Sequence, residues 1–305
     1  MNKSLKFKIV DCFYLVMTLL PILAGMIIYI LFTPESEGVE ITGALIYFTI
    51  DLPFFSSSLL NQIPITEAQV NSWLVMITIL FLCLYLTHGI KAKGGLKRQL
   101  VAEWIVEQTE KLVNTNMDPY FSNFAPFVAA ILGLSCFSSL LSLFGIFAPT
   151  SDINVVAGWA VLTFCLITYY KFKVGPLHYL KSFTEPVSFL TPINIISEVA
   201  TPVSMSFRHY GNILSGSVIS VLVAYGLGNL SNALLGWLTS IPILRIGIPA
   251  ILSLYFDIFS GALQAYIFAM LTMLYVSGGF PAELYYKRRA QKDAKRKERQ
   301  KILNS

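Results

Sequence analysis

The chain has 305 residues, of which 55% are hydrophobic and only 13% are charged, and its mean hydropathy is +0.66. Soluble domains carry about 25% charged residues, so this composition excludes an ordinary soluble enzyme. A chain this apolar can bury its side chains only in lipid, and its length allows about five to seven spans of about 20 residues. We therefore expect a single integral membrane domain.

The net charge of +5 is concentrated near the C-terminal end of the chain. Residues 287–301 contain nine basic and two acidic side chains, so this tail carries +7 and the remainder carries −2. A basic run that follows a hydrophobic segment is more typical of the cytoplasmic side of a membrane than of a nucleic-acid-binding patch. We expect the tail to meet lipid or a partner protein, and we expect no nucleic acid.

Six apolar segments predict six membrane-spanning helices and an all-α fold. The first begins with basic residues like a signal peptide, but its apolar run of about 21 residues exceeds the usual 7 to 15, which favours a retained anchor. The last two segments are longer, carry more polar residues and are predicted to form a hairpin. The six segments cover residues 12–32, 72–90, 124–147, 153–170, 192–227 and 246–276.

The charges of the connecting segments predict the orientation of these helices. The loop 34–71 contains five acidic residues and no Lys or Arg, whereas the next loop opens with four basic residues, so the first is expected outside and the second inside. Both termini are then cytoplasmic. Segment 96–117 is too polar to span and predicts an amphipathic helix on the inner surface. The predicted units are an N-terminal anchor (1–33), an acidic external loop (34–71), the main membrane domain (72–276) and a basic cytoplasmic tail (277–305).

Residue spacing gives no sign of a metal site or a nucleotide site. The four cysteines lie in apolar stretches without a Cys-x-x-Cys pair, and the three histidines form no His-Glu-x-x-His motif. The sequence also lacks the phosphate-binding loop and the nucleophile elbow of common enzymes. We therefore expect no cofactor, no metal and no nucleotide chemistry in this chain.

Four isolated charges mark the last hairpin: between Pro186 and Val276 the only charged residues are Glu198, Arg208, Arg245 and Asp257. An arginine or aspartate near the middle of a spanning helix costs about 2.5 to 3.5 kcal/mol, so such residues usually face a partner, a cavity or an ion path. Both helices carry polar and small residues at spacings i, i+3, i+4 and i+7, which places them on one face. The two stripes are Arg208, Gly211, Asn212 and Ser215 on the first helix, and Asp257, Ser260, Gly261 and Gln264 on the second.

Two interpretations of these charges remain. Arg208 and Asp257 form a buried structural ion pair, or they belong to an ion path. The predicted topology favours the path, because it places Ser217 and Asp257 toward the outside, Arg208 and Gln264 near mid-depth, and Glu198 toward the inside. Polar groups then reach the membrane centre from both faces, with a fixed positive charge between them.

Three stretches of the chain resemble subunit a of F-type ATP synthases. NIISEVATPVSMSFRHYGNILSG (194–216) contains the family pattern Arg-x-x-Gly-Asn-x-x-x-Gly, and LQAYIFAMLTMLYV (263–276) is similar to its closing Gln-Ala-aromatic motif. PTSDINV (149–155) resembles the family's Pro-Thr-Ala-Asp-x-Asn-Val loop. The matches occur in the family's order, and the first helix and the basic tail lie outside the common core.

The resemblance implies a stator subunit of a bacterial plasma-membrane complex, lying beside a ring of c subunits and contacting peripheral-stalk b subunits. Two offset half-channels would carry protons or Na+ to and from the ring carboxylates. The family match makes Arg208 the essential arginine and Gln264 its companion facing the ring. The outer half-channel would contain Asn212, Ser217 and Asp257, and the inner one Glu198 and Ser204. Residues expected to pack against the ring are Gly211, Ser215, Gly216, Ser260 and Gly261.

Two departures from the family pattern matter. Many members have a titratable residue at the position of Ser217, so here Asp257 is the only titratable group expected on the outer path. His209 replaces a more common leucine and is expected to face another stator element or a polar pocket. The alternative function is a secondary transporter with a midplane site on Arg208 and Asp257, which predicts inverted repeats that the sequence does not display.

Overall fold

The computed structural model describes residues 3–32, 43–51, 62–92, 96–184, 189, 191–235, 244–280, 282–287 and 289–291. Most of the predicted basic tail and the acidic residues Glu35, Glu37 and Glu40 lie outside these residues. The described chain is largely helical. Its helices are α1 (Lys3–Phe32), α2 (Glu67–Thr87), α3 (Lys97–Asn116), α4 (Ala125–Leu140), α5 (Ile153–Val174), α6 (Pro176–Ser182), α7 (Thr191–Leu235), α8 (Leu244–Ser253) and α9 (Gly261–Gly278).

Within the described residues, six helical stretches are long and apolar enough to cross a membrane. They correspond in order to the six predicted segments, which confirms the all-α membrane fold. The stretches are Phe7–Phe32, Glu67–Thr87, Pro119–Phe144, Ile153–Lys173, Thr191–Leu234 and Gly247–Gly278.

A short β-hairpin precedes α2 and was not predicted. Strand β1 (Ile46–Asp51) pairs antiparallel with β2 (Gln62–Thr66), with a register irregularity between Ile46 and Phe48. The hairpin is tied to the start of α2, because the backbone N–H of Glu67 donates to the carbonyl of Leu45 at 2.7 Å. It therefore covers the N-terminal end of α2.

Side-chain caps and a glycine fix the boundaries of the spanning helices. Thr66 caps α2 by accepting the backbone N–H of Gln69, and Asp152 caps α5 by accepting the N–H of Asn154 at 2.9 Å. Gly145, with φ of +72°, ends the 3-10 segment that follows α4. The two side-chain caps mark where α2 and α5 begin.

The N-terminal helix α1 is held to the rest of the chain by an ionic cluster. Asp11 Oδ1 lies 2.8 Å from both His88 Nδ1 and Arg98 Nη1, and Arg98 also donates to the carbonyl of His88. The Arg98 guanidinium lies over the rings of Phe7 and Tyr85. One residue from each of α1, the end of α2 and α3 therefore meet at one end of the bundle.

The predicted amphipathic helix exists as α3, but its larger apolar side chains point outward. Leu100 and Trp104 are 63% and 60% exposed, whereas Thr109 and Val113 are buried against the bundle. The main core lies where α4, α5 and α9 meet, around Phe268 and neighbouring aromatic residues. This core holds α9 rigidly, and α9 in turn positions the residues described below.

The last predicted segment is not a uniform helix. Residues Leu254–Ser260, between α8 and α9, form a π-helical turn, and Asp257 lies within it. A π-helical turn widens the helix, is rare and occurs frequently at functional sites. Asp257 is therefore displayed by an irregular part of the backbone.

Candidate functional site

Arg208 lies on the exposed surface of α7 and is unpaired. It forms no hydrogen bond or ion pair with any residue in the described part of the chain. Asp257 instead accepts a hydrogen bond from Ser253 Oγ, one helical turn earlier. The alternative in which Arg208 and Asp257 form a structural ion pair therefore does not match the structure.

The open face of α7 around Arg208 contains the small and polar residues predicted from the spacing. Ser204 and Ser215 are exposed and Gly211 is half-buried, and a Cβ at Gly211 would contact nothing within 4 Å. Their spacing from Arg208 places all of them on one side of the helix. This face leaves the arginine free to meet a group from outside the chain.

The other polar stripe meets α7 directly. Asn212 Nδ2 donates to Ser260 Oγ at 2.7 Å, which joins α7 to the π-helical turn. A Cβ at Gly216 would lie 2.8 Å from the Phe256 ring, and one at Gly261 would lie 2.6 Å from Ser139 Cβ. Gly216, Ser260 and Gly261 were expected to pack against a ring, but their close contacts are with helices of this chain.

Gln264 also departs from its expected position. Its side chain is only 4% exposed, so it lies within the bundle, whereas Arg208 lies on the open face. The reason is the rotation of α9, which buries Ala265, Phe268 and Ala269 together with Gln264 in the contact with α4 and α5. Its predicted role beside the arginine stays a prediction.

His209 faces inward, next to the outward-facing arginine. It is fully buried, its Nε2 lies 3.3 Å from Ser135 Oγ on α4, and the edges of Trp159 and Phe268 contact its ring. Its Nδ1 has no hydrogen-bond partner among the described residues. The expectation that His209 faces another stator element or a polar pocket agrees with its contacts to α4, α5 and α9.

A cavity of about 600 Å³ lies on one side of Arg208, and we call it the Asp257 cavity. Ser217 and Asp257 both line it, as predicted for the outer half-channel, while Asn212 lies one turn away and bonds to Ser260. It also contains Glu67, which is 3% exposed and was assigned only to the external loop by sequence. The other polar or aromatic lining residues are Tyr29, Ser142, Phe147, Ser151 and Tyr210.

A second cavity, of about 410 Å³, lies on the other side of Arg208, and we call it the Glu198 cavity. Lys171 Nζ lies 2.6 Å from Glu198 Oε1, and the hydroxyl of Tyr179 donates to the same oxygen at 3.4 Å. Burial and the nearby Glu198 carboxylate raise the pKa of Tyr179 above its usual value. Ser204 does not line this cavity and lies on the open face of α7 instead.

A packed layer separates the two cavities. Along α7, the Glu198 cavity reaches Thr201 and the Asp257 cavity begins at Tyr210. Between them, Met205, Ser206 and His209 are buried, and Arg208 occupies the opposite face. Along the last helix, the buried face that includes Ser260, Phe268 and Met273 lies between Asp257 and the residues at the Glu198 cavity. The positively charged residue therefore lies at the level of the barrier.

Sequence reasoning missed two of the residues at these cavities. The sequence did not single out Lys171, although a basic residue near the end of one span can reach an acid near the start of another. Glu67 directly follows the helix-capping Thr66, a pattern that predicts an exposed first-turn acid, so sequence alone carried no signal of its burial.

Comparison with known proteins identifies the family. The model of the ATP synthase A chain family matches residues 69–277. The chain is 34% identical over 254 residues to ATP synthase subunit a of Priestia megaterium, covering 80% of this chain and 96% of the relative. It is 27% identical over 225 residues to the same subunit of Legionella pneumophila (strain Paris), covering 73% and 90%. The fold, the arginine-bearing helix and these matches together show that the chain belongs to the ATP synthase subunit a family.

Proposed function

We propose that this membrane subunit of an F-type ATP synthase provides two half-channels for H+ or Na+, with Arg208 between them. The observation that carries the proposal is the placement of the Asp257 cavity and the Glu198 cavity on opposite sides of an unpaired arginine. Each cavity contains at least one carboxyl group, and a packed layer separates them. The partner on the open face of α7 is a ring of c subunits, with b subunits and the remaining complex beyond it.

The charge of Arg208 accounts for the release of the cation from the ring and for the absence of a direct leak between the cavities. A guanidinium keeps its proton at all relevant pH values. It attracts an ionised ring carboxylate and so favours release of the bound cation, and it repels a free cation that would leak between the cavities. Each ion that crosses falls through about 2.3 kcal/mol per 100 mV of membrane potential. Because the two paths are offset, the ion must bind to the ring and move with it from one path to the other. This movement converts that free energy into rotation.

The orientation follows from the loop charges. The Asp257 cavity opens toward the acidic loop side, proposed as the outside, and the Glu198 cavity opens toward the basic side, proposed as the inside of a bacterial plasma membrane. Both termini are then cytoplasmic. Glu198 is held by Lys171, so water next to this pair, rather than the carboxylate alone, carries the ion on the inner side.

The test is ATP-driven uptake of H+ and of Na+ into inverted vesicles that contain the complete complex. In assembled complexes, Arg208→Ala is expected to abolish uptake, and the native vesicles identify the ion. Lys111→Ala, which removes a cation from the exposed surface of α3 outside both cavities, is the matched control and is expected to retain most uptake. Persistent coupled uptake in assembled Arg208→Ala complexes would contradict the proposal.

A further inference from the structure

The buried acid Glu67 has no role in the mechanism described so far. It is the first residue of α2, yet its side chain is 3% exposed and lines the Asp257 cavity. Its Oε1 has no hydrogen-bond partner among the described residues, although the backbone N–H groups of Leu45 and Phe147 face the same carboxyl. An acid at a helix start is usually solvent-exposed, because water and the helix dipole both stabilise its charge.

In the part of the chain that the structure describes, the groups around Glu67 do not include a compensating cation. From α1, the β-hairpin and α7, the ionisable side chains that face it or share its cavity are Tyr29, Tyr47 and Tyr210, and the π-helical turn contributes Asp257. Within the described residues, no lysine, arginine or histidine lines the cavity. A buried carboxylate without a positive partner is costly, whereas the protonated acid is not. The site therefore suits a carboxyl group that gains and loses a cation rather than one that holds a fixed charge.

The position of Glu67 also suits a transfer step. It enters the cavity from α2, beneath the β-hairpin, whereas Asp257 enters from the π-helical turn of the last hairpin. The cavity of about 600 Å³ has room for several water molecules between them. Asn71, one turn after Glu67, donates to the carbonyl of Phe147 at 2.8 Å and fixes the adjoining wall of the cavity.

We propose that Glu67 is a second cation-exchanging carboxyl group of the Asp257 cavity, taking the transported cation from water at the hairpin and passing it to Asp257. For a proton, the Oε1–H bond forms as hydronium becomes water. That bond then breaks to a cavity water, and Asp257 accepts the proton, which returns Glu67 to its carboxylate form. The inference rests on the proposed function, since it adds a residue to the same half-channel.

The test measures ATP synthesis by inverted vesicles at fixed membrane potential, with the luminal cation concentration varied. Glu67→Gln preserves size and polarity but cannot exchange a cation. We expect the rate at low luminal cation concentration to fall on the order of tenfold, with half-maximal rate at a higher concentration. Glu67→Asp retains the carboxyl group and is expected to recover most of the rate. The matched control is Asp152→Asn, an acid-to-amide change outside the cavity that keeps a good helix cap.

The outcomes separate this inference from the proposed function. Assembled Glu67→Gln complexes with an unchanged concentration dependence would show that Glu67 is only a structural residue. If Glu67→Gln prevents assembly, the smaller amide variant Glu67→Asn takes its place: a shifted concentration dependence supports the relay, and an unchanged one overturns it. Arg208→Ala is measured in the same vesicles. If coupled transport persists in Arg208→Ala, the two half-channels are overturned. If Arg208→Ala abolishes transport but Glu67→Gln has the native concentration dependence, only the relay through Glu67 is overturned.

Discussion

The two cavities beside Arg208 differ in how their acids are held. In the Glu198 cavity the carboxylate is paired with Lys171 at 2.6 Å and accepts the Tyr179 hydroxyl. In the Asp257 cavity neither Asp257 nor Glu67 has a cationic partner among the described residues, and Asp257 accepts only the Ser253 hydroxyl. The ion pair fixes the position of the Glu198 carboxylate, whereas Asp257 and Glu67 have no ion pair among the described residues to break before they meet a transported cation. The comparison predicts that ion flux through the Glu198 cavity depends on its packing and ion pair, whereas ion flux through the Asp257 cavity depends on the carboxyl groups of Asp257 and Glu67.

The largest effect is expected from Asp257→Asn, which removes an exchanging carboxyl group without changing size. Ion flux is expected to fall on the order of tenfold or more while assembly is retained, because the amide cannot carry the cation. Flux is measured in vesicles over a range of pH values, with Asp257→Glu as the control that keeps the acid. Equal flux in the native and Asn complexes at every pH would remove Asp257 from the path.

The packed layer between the cavities is tested by a pair of glycine variants. Gly261→Ala places a Cβ 2.6 Å from Ser139 Cβ, so overpacking is expected to cost about 1 to 3 kcal/mol of stability. Gly158→Ala, on the exposed surface of α5 away from both cavities and from the open face of α7, meets nothing within 4 Å and is expected to be neutral or slightly stabilising. Thermal unfolding of the purified complex compares them. Equal stability of the two variants would show that the layer is looser than described.

The ion pair of the Glu198 cavity predicts a smaller loss of stability. Lys171→Met leaves the partly buried Glu198 without its cation and is expected to cost about 1 to 2 kcal/mol. The double variant Lys171→Met with Glu198→Gln removes both charges and is expected to recover much of that loss. The same unfolding assay gives the coupling between the residues. Additive effects of the two changes would mean that this carboxylate is not held by the lysine.

The smallest effect concerns Tyr47, which lies on β1 near Glu67. Burial, with smaller contributions from the charges of Glu67 and Tyr29, raises the pKa of Tyr47 from 10.0 to about 12. The stability that comes from keeping this phenol neutral is therefore present below pH 10 and is lost as the pH rises toward 12. The difference in tyrosinate absorbance between the native protein and Tyr47→Phe reports the ionisation of Tyr47. Glu67→Gln removes a nearby negative charge and is therefore expected to shift this ionisation to lower pH. Ionisation near pH 10 would contradict the buried environment.

The sequence predicted the spans and the arginine-bearing face because both depend on local patterns. The order of residues alone reveals the apolar runs of membrane length and the spacing of Arg208, Gly211 and Ser215. The β-hairpin also had a signal, since Ile46, Phe48 and Ile50 alternate with polar or aromatic residues, but the acidic character of the loop obscured it.

The missed features depend on contacts between distant segments. Glu67 is buried where the start of α2 meets the chain at Leu45 and at Phe147, and Gln264 is buried because of how α9 rotates against α4 and α5. The π-helical turn at Asp257 is likewise absent from any residue pattern, since helical periodicity before and after it looks regular. Residue type identified the chemistry, and tertiary packing decided which side chains reach the cavities.

The most direct test of the account asks which side of the membrane each cavity faces. In a complex whose subunit a lacks the native cysteines, single cysteines replace Ser217 in the Asp257 cavity and Ser197 in the Glu198 cavity. A membrane-impermeant thiol reagent is applied to right-side-out and to inverted vesicles. The account predicts labelling of Ser217→Cys only from the outside and of Ser197→Cys only from the inside. Labelling of both cysteines from the same side would contradict two half-channels separated by Arg208.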